Sequence, residues 1–123
     1  MTALLLMAHG SRRPEANADL LHVAAAMRAD GRYPIVEISY LELAEPTIPA
    51  GGAACVERGA TAVVMLPYFL SPGVHVQDDM VEARDGLTER FPGVRFSVAE
   101  PLGRHPLLLD VVRARARAAE ASG

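Results

Sequence analysis

No lysine occurs in this chain; its twelve basic residues are all arginine. Arginine forks bidentately onto carboxylates, so a polycarboxylate ligand is one reading of that bias, and genomic base composition is the plainer one. Fifteen acidic residues leave a formal charge of −3 with no basic run, which argues against nucleic acid as the main partner. Cysteine is nearly absent. The lone Cys55 excludes an intrachain disulfide and a thiolate metal cluster within one chain, and its setting, AACVERGA, suits a small apolar residue packed between helix and sheet. Long apolar runs are missing as well. Stretches such as Ala62 to Leu66 stay far below the roughly 20 residues of a membrane span. The opening MTALLLMAHGSR has no basic region ahead of its apolar stretch, so a cytoplasmic protein without a membrane partner is expected. There is no G-x-x-x-x-G-K-[ST] loop, no G-x-G-x-x-G turn and no G-x-S-x-G elbow. The chain thus gives no sign of ATP, dinucleotide or serine hydrolase chemistry.

What is present is a hydrophobic half of 123 residues, enough for one domain with a real core but short for an enzyme that must enclose a large substrate. A single domain over 1–123 is expected, with a partner subunit supplying the rest of any large site. Apolar runs at 2–8, 35–41, 61–67 and 94–99 alternate with helical patterns at 14–30, 47–58, 76–91 and 106–120. Such alternation predicts a three-layer α/β/α sandwich around a four-stranded, mainly parallel sheet. The runs lack strict polar alternation, as strands buried on both faces do. Pro14 and Gly31 bracket the first helix. Gly51 and Gly52 together cost about 2 kcal/mol of helix propensity relative to alanine, so burial or a close contact must compensate. The third helix is expected to carry Asp78 and Asp79 in its first turn, where acidic residues favour the helix dipole.

Two histidines stand at the ends of predicted strands, His9 in LLLMAHGSRRP and His75 in AVVMLPYFLSPGVHVQDD. If their strands are parallel neighbours, both imidazoles reach the crevice beyond the carboxyl ends of the sheet. Two neutral imidazoles in one cleft point to a transition metal or a proton-transfer site. Gly10 and Ser11 let backbone N–H groups approach a ligand, and with Arg12 and Arg13 the turn before the first helix can hold an anion. Glu42 and Glu45 in YLELAEP follow the second strand on the same edge, and a carboxylate there would complete a mixed nitrogen and oxygen site; capping is the ordinary role of Glu45. Asp78 and Asp79 could orient His75 or hold metal beside it, or simply serve the helix terminus. His22 and His105 lack a neighbouring strand end and read as surface or partly packed histidines. Tyr68 and Phe69 offer an apolar wall or plain core.

Taken in order, HGSRRPEAN, LELAEP and YFLSPGVHVQDDM, with PLGRHPLL before the last helix, resemble the short sirohydrochlorin chelatases of the class II chelatase superfamily. The resemblance runs over almost the whole chain. It implies a cytoplasmic homodimer that inserts Fe²⁺ or Co²⁺ into sirohydrochlorin without ATP, in sirohaem or cobalamin biosynthesis, with Ni²⁺ used by a related group. No tightly bound cofactor is implied, because the divalent metal is a substrate. His9 matches the first family histidine and His75 the second, both assigned to metal delivery and proton removal. Val74 departs from the basic or glycine residue common before the second histidine, and no histidine-rich run is present for metal storage. Two other classes stay open at this point. One is a histidine-phosphatase-like enzyme, in which arginine rather than Ala8 would precede the first histidine; the other is a non-catalytic metal or tetrapyrrole carrier.

Overall fold

The computed structural model describes residues 1–122. Strands β1 (Thr2–Ala8), β2 (Ile35–Tyr40), β3 (Ala62–Pro67) and β4 (Arg95–Val98) alternate with helices α1 (Pro14–Asp30), α2 (Ile48–Glu57), α3 (Val74–Arg90) and α4 (Pro106–Ser122). All strand pairs are parallel, in the order β2-β1-β3-β4. From β1 the chain steps outward to β2; it then returns past β1 to β3 and continues to β4. Right-handed crossovers therefore place α1 on one face of the sheet and α2 and α3 on the other. This is the expected three-layer α/β/α arrangement.

The core follows the same division. Leu5, Met7, Val63, Met65 and Phe96 bury under α2 and α3 with Cys55, Met80 and Leu87, whereas Leu4, Leu6 and Val36 bury under α1 with Leu20 and Ala24. Cys55 is fully covered, which pushes its thiol up to about 12, chiefly by desolvation, with Glu37 adding to the shift. The Gly51-Gly52 pair is offset as its composition demanded. Both glycines are buried, Gly51 against Leu5, Ile38 and Ser39 of the sheet and Gly52 against Leu87 of α3, at distances that leave no ordinary room for a Cβ. α2 can lie close on the sheet because those side chains are missing. Thr47 caps it through Oγ1, which accepts from the Ala50 N–H at 3.3 Å.

One expectation about α3 fails. The helix begins at Val74, capped by Gly73, instead of near residue 76, so its first turn holds His75 and no acidic residue. Asp78 and Asp79 fall beyond it. The physical reason lies in Gly73, which takes extended backbone and whose carbonyl already accepts from the Gln77 N–H at 3.1 Å. Among the described residues no helix is long and apolar enough to cross a membrane.

Candidate functional site

β1 and β3 are hydrogen-bonded neighbours with Met7 opposite Pro67, and the chain leaves them in opposite directions, α1 over one face and α3 over the other. This is the topological switch point of the sheet, where a crevice opens beyond the strand ends. His9 is the first residue after β1, and His75 is the second residue of the helix that follows β3. Both side chains are exposed.

The loop that carries His9 is closed on both sides. Toward β2, Leu41 N–H donates to the Ala8 carbonyl at 3.0 Å and Glu42 N–H to the His9 carbonyl at 3.1 Å. Gly10 has φ +97° and lies so close to the Glu42 carbonyl that a Cβ would overlap it. Only glycine meets both conditions. Toward α1, Ser11 N–H donates to Asn17 Oδ1 at 3.0 Å while Asn17 Nδ2 donates to the Ser11 carbonyl at 2.7 Å, and Arg13 N–H donates to Ser11 Oγ at 3.1 Å. Tyr40 Oη in turn donates to the Asn17 carbonyl at 3.0 Å, and burial raises its phenol above the ordinary range. Asn17 and Tyr40 escaped the sequence reading. The available signal for Asn17 was an amide in the first turns of a helix, a residue type that bonds to nearby turn backbone.

These bonds alter the anion-cradle expectation. The Ser11 and Arg13 N–H groups are taken up in closing the loop, so the arginine side chains are left as the basic groups of the turn. Arg12 and Arg13 are both exposed, and neither takes part in an ion pair among the described residues.

His9 stands between two hollows. One, of ≈ 240 Å³, is lined by His9, Gly10, Ser11, Asn17, Tyr40 and Tyr68; the other, of ≈ 160 Å³, is lined by His9, Phe69, Ser71, Pro72, Gly73 and Val76. The Phe69 ring meets His9 edge-on at 6.2 Å between centroids. Tyr68 and Phe69 thus wall the two hollows, one each. In sequence His75 falls between Gly73 and Val76, which line the second hollow, and is not itself among the lining residues. Glu42 and Glu45 are exposed on the connection after β2, Glu42 tied through its backbone to His9, and Asp78 and Asp79 are exposed on α3. Among the described residues no three His, Cys, Asp or Glu side chains gather closely enough to hold a metal ion. One chain brings the two histidines to one edge without assembling a finished mixed site around them. His22 is exposed on α1, and His105 Nδ1 accepts from the Leu107 N–H at 3.1 Å at the start of α4, so both stand outside the edge.

A model of the CbiX family matches residues 3–119. The chain belongs to the CbiX family. It is similar to the chloroplastic sirohydrochlorin ferrochelatase of Arabidopsis thaliana, 40% identical over 91% of this chain and 50% of that protein. It is also similar to the sirohydrochlorin cobaltochelatase of Sulfolobus acidocaldarius, 29% identical over 97% of this chain and 93% of that one. Among solved structures, the sirohydrochlorin chelatase SirB of Bacillus subtilis subspecies spizizenii in complex with cobalt superposes with a TM-score of 0.86, at 34% identity, over 94% of this chain and 50% of that chain. The chain spans about half the length of several such relatives, and the family fold is present here once. Membership in CbiX displaces the phosphatase alternative.

Proposed function

We propose that the chain is one half of a homodimeric sirohydrochlorin chelatase, which inserts Co²⁺ or Fe²⁺, with Ni²⁺ as a third candidate, into the tetrapyrrole without ATP. The observation that carries this reading is the placement of His9 and His75 on the two loops that flank the switch point, with two open hollows beside His9. Relatives named for sirohydrochlorin support the substrate, and those named ferrochelatase and cobaltochelatase support the two metals. Two features support a second copy. Some relatives are twice as long as this chain, and no three-ligand cluster forms among the described residues of one chain.

The chemistry follows from the reactants. A divalent metal sheds water as it takes four macrocycle nitrogens, and two pyrrole N–H protons must leave, so metal plus free base gives metallated product plus two protons. Neutral His9 and His75 serve as loose ligands for the incoming metal and as proton acceptors. Glu42 offers a carboxylate to take up a proton or balance the metal charge. Arg12 and Arg13 pair with the peripheral carboxylates of the ring, and Gly10 and Ser11 line the hollow beside them. The metal passes through as substrate, and no tightly bound cofactor is required. Cytoplasmic residence, with neither membrane nor nucleic acid as partner, belongs to the same reading.

The test is anaerobic conversion of sirohydrochlorin by the wild-type chain with Co²⁺, Fe²⁺ or Ni²⁺, followed by the tetrapyrrole absorbance change beside an enzyme-free control. Many metals inserted per chain, faster than the control, is the expected outcome. Binding of metal and ring without acceleration would mean a carrier instead.

A further inference from the structure

Among the described residues two that are not glycine take a positive φ, Leu43 at 62° and Arg104 at 66°. Both are exposed, and both stand on connections that leave the carboxyl ends of the outer strands, Leu43 after β2 and Arg104 after β4. The left-handed region is costly for any residue with a Cβ, and residues held there gather at sites that demand their placement. Leu43 directly follows Glu42, whose backbone is tied to His9. Arg104 has no part in the chemistry described above.

The turn that holds Arg104 explains its conformation without explaining its identity. His105 N–H donates to the Leu102 carbonyl at 3.3 Å, which closes a four-residue turn with Gly103 and Arg104 at its centre. Where the third residue of such a turn has positive φ, glycine or asparagine ordinarily fills it. Here the glycine comes one place earlier. Gly103 lies so close against the Leu70 carbonyl that a Cβ would overlap it, and Leu102 N–H donates to the Phe69 carbonyl at 3.0 Å, so the turn is clamped to the loop after β3. The clamp accounts for Gly103. It gives no reason for an arginine at position 104, which takes part in no ion pair among the described residues.

What arginine adds there is charge beside an open hollow. Ser71, Pro72, Gln77, Glu100 and Arg104 help to line a cavity of ≈ 420 Å³, and Arg104 is the one cation among its lining residues. Ser71 and Pro72 also wall the ≈ 160 Å³ hollow beside His9, so the two spaces meet across one short loop. Glu100 shares the larger hollow but forms no ion pair with Arg104, and the guanidinium keeps its donors. β4 lies two strands from β1, about 10 Å at ordinary strand spacing. Arg104 and the Arg12-Arg13 turn therefore follow strands on opposite sides of β3, the strand that leads to His75.

We propose that Arg104 holds and orients the ring, its guanidinium taking a peripheral carboxylate of the tetrapyrrole in this second hollow. The proposal rests on the sirohydrochlorin reading given above. Cationic holds on both sides of the β3 loop fix the rotation of a flat ring in its own plane, which a hold on one side leaves open. Bidentate pairing with a carboxylate suits arginine better than lysine. The strained backbone at position 104 is the cost of setting that side chain on the hollow.

Equilibrium binding of metal-free sirohydrochlorin, followed by its absorbance, tests this in the wild type, Arg104→Asn and Glu100→Gln, each also unfolded in urea. Asparagine enters the left-handed region readily, so Arg104→Asn should raise the urea midpoint while raising the Kd for the ring about tenfold, the worth of one charge-assisted bond. Affinity and stability moving in opposite directions separate a binding residue from a prop of the fold. Glu100→Gln should bind no more weakly than the wild type. An unchanged Kd in Arg104→Asn overturns the proposal, as does a weaker Kd joined to a lower midpoint. So does an equal loss in Glu100→Gln, which would assign Arg104 to that carboxylate. Metal insertion by the wild type judges the chelatase reading separately. Insertion with an unchanged Kd in Arg104→Asn leaves that reading standing, and binding without insertion overturns it while the Kd still decides the role of Arg104. A wild type that does not bind the ring overturns both.

Discussion

The carbonyl oxygen of Glu42 occupies the space that a side chain on Gly10 would need. The contact joins the turn after β1 to the turn after β2, and it holds His9 at the mouth of the crevice. Gly10→Ala would meet two penalties together, a positive φ and that overlap. Each such strain is worth about 1–3 kcal/mol, so urea unfolding should show a loss of at least about 2 kcal/mol, together with a fall in metal insertion. An unchanged midpoint would mean the turn can relax without moving His9.

Asn17 is the clasp on the other side of the same turn. Asn17→Ala removes both side-chain bonds to Ser11, worth about 1 kcal/mol each, so stability should fall by about 2 kcal/mol. The insertion rate should fall with it, since Arg12 and Arg13 would lose their anchored backbone. Full activity in a destabilised variant would separate the clasp from the chemistry.

Arg12 and Arg13 are exposed, so their removal should leave the fold alone. Arg12→Ala and Arg13→Ala should each raise the KM for sirohydrochlorin by about tenfold, the worth of a charge-assisted bond to a carboxylate, with kcat little changed. A variant with unchanged KM would take that arginine out of substrate binding.

Much of this arrangement was legible in the residues and some of it was not. The four strands and four helices follow from apolar runs bounded by glycine and proline, and α1 matches its reading end to end because Pro14 and Gly31 punctuate it. The start of α3 was misplaced because Pro72-Gly73 reads as continuing loop, while Gly73 in fact caps a helix that already includes His75. The site was legible as two histidines at strand ends. Their supports were not, because Asn17, Tyr40 and the Gly10–Glu42 contact depend on how two loops meet in space. The apolar run of β3 looks the same whether one face is covered or two, and only the folded chain shows Val64 and Leu66 left half-buried.

Cys55 and Tyr40 set a limit on stability in alkali. Burial lifts both groups above their ordinary values, Cys55 from 9.0 to about 12. The folded chain therefore holds these protons when the unfolded chain begins to release them. Their stabilisation is complete below about pH 9 and is lost as pH rises from there toward 12. Thermal melts should move to lower temperature over that interval, and Cys55→Ala should flatten the slope. A melting temperature independent of pH over that interval would contradict the assignment.

The most direct test of the central claim is the initial rate of Co²⁺ insertion into sirohydrochlorin for the wild type, His9→Ala and His75→Ala, each against the enzyme-free rate. Both histidines are exposed and neither supports the core, so both variants should keep the wild-type circular dichroism and melting temperature. The account expects each to fall to, or close to, the spontaneous rate. A folded variant that inserts metal as fast as the wild type would remove that histidine from the reaction, and two such variants would leave the switch-point crevice without a part in it.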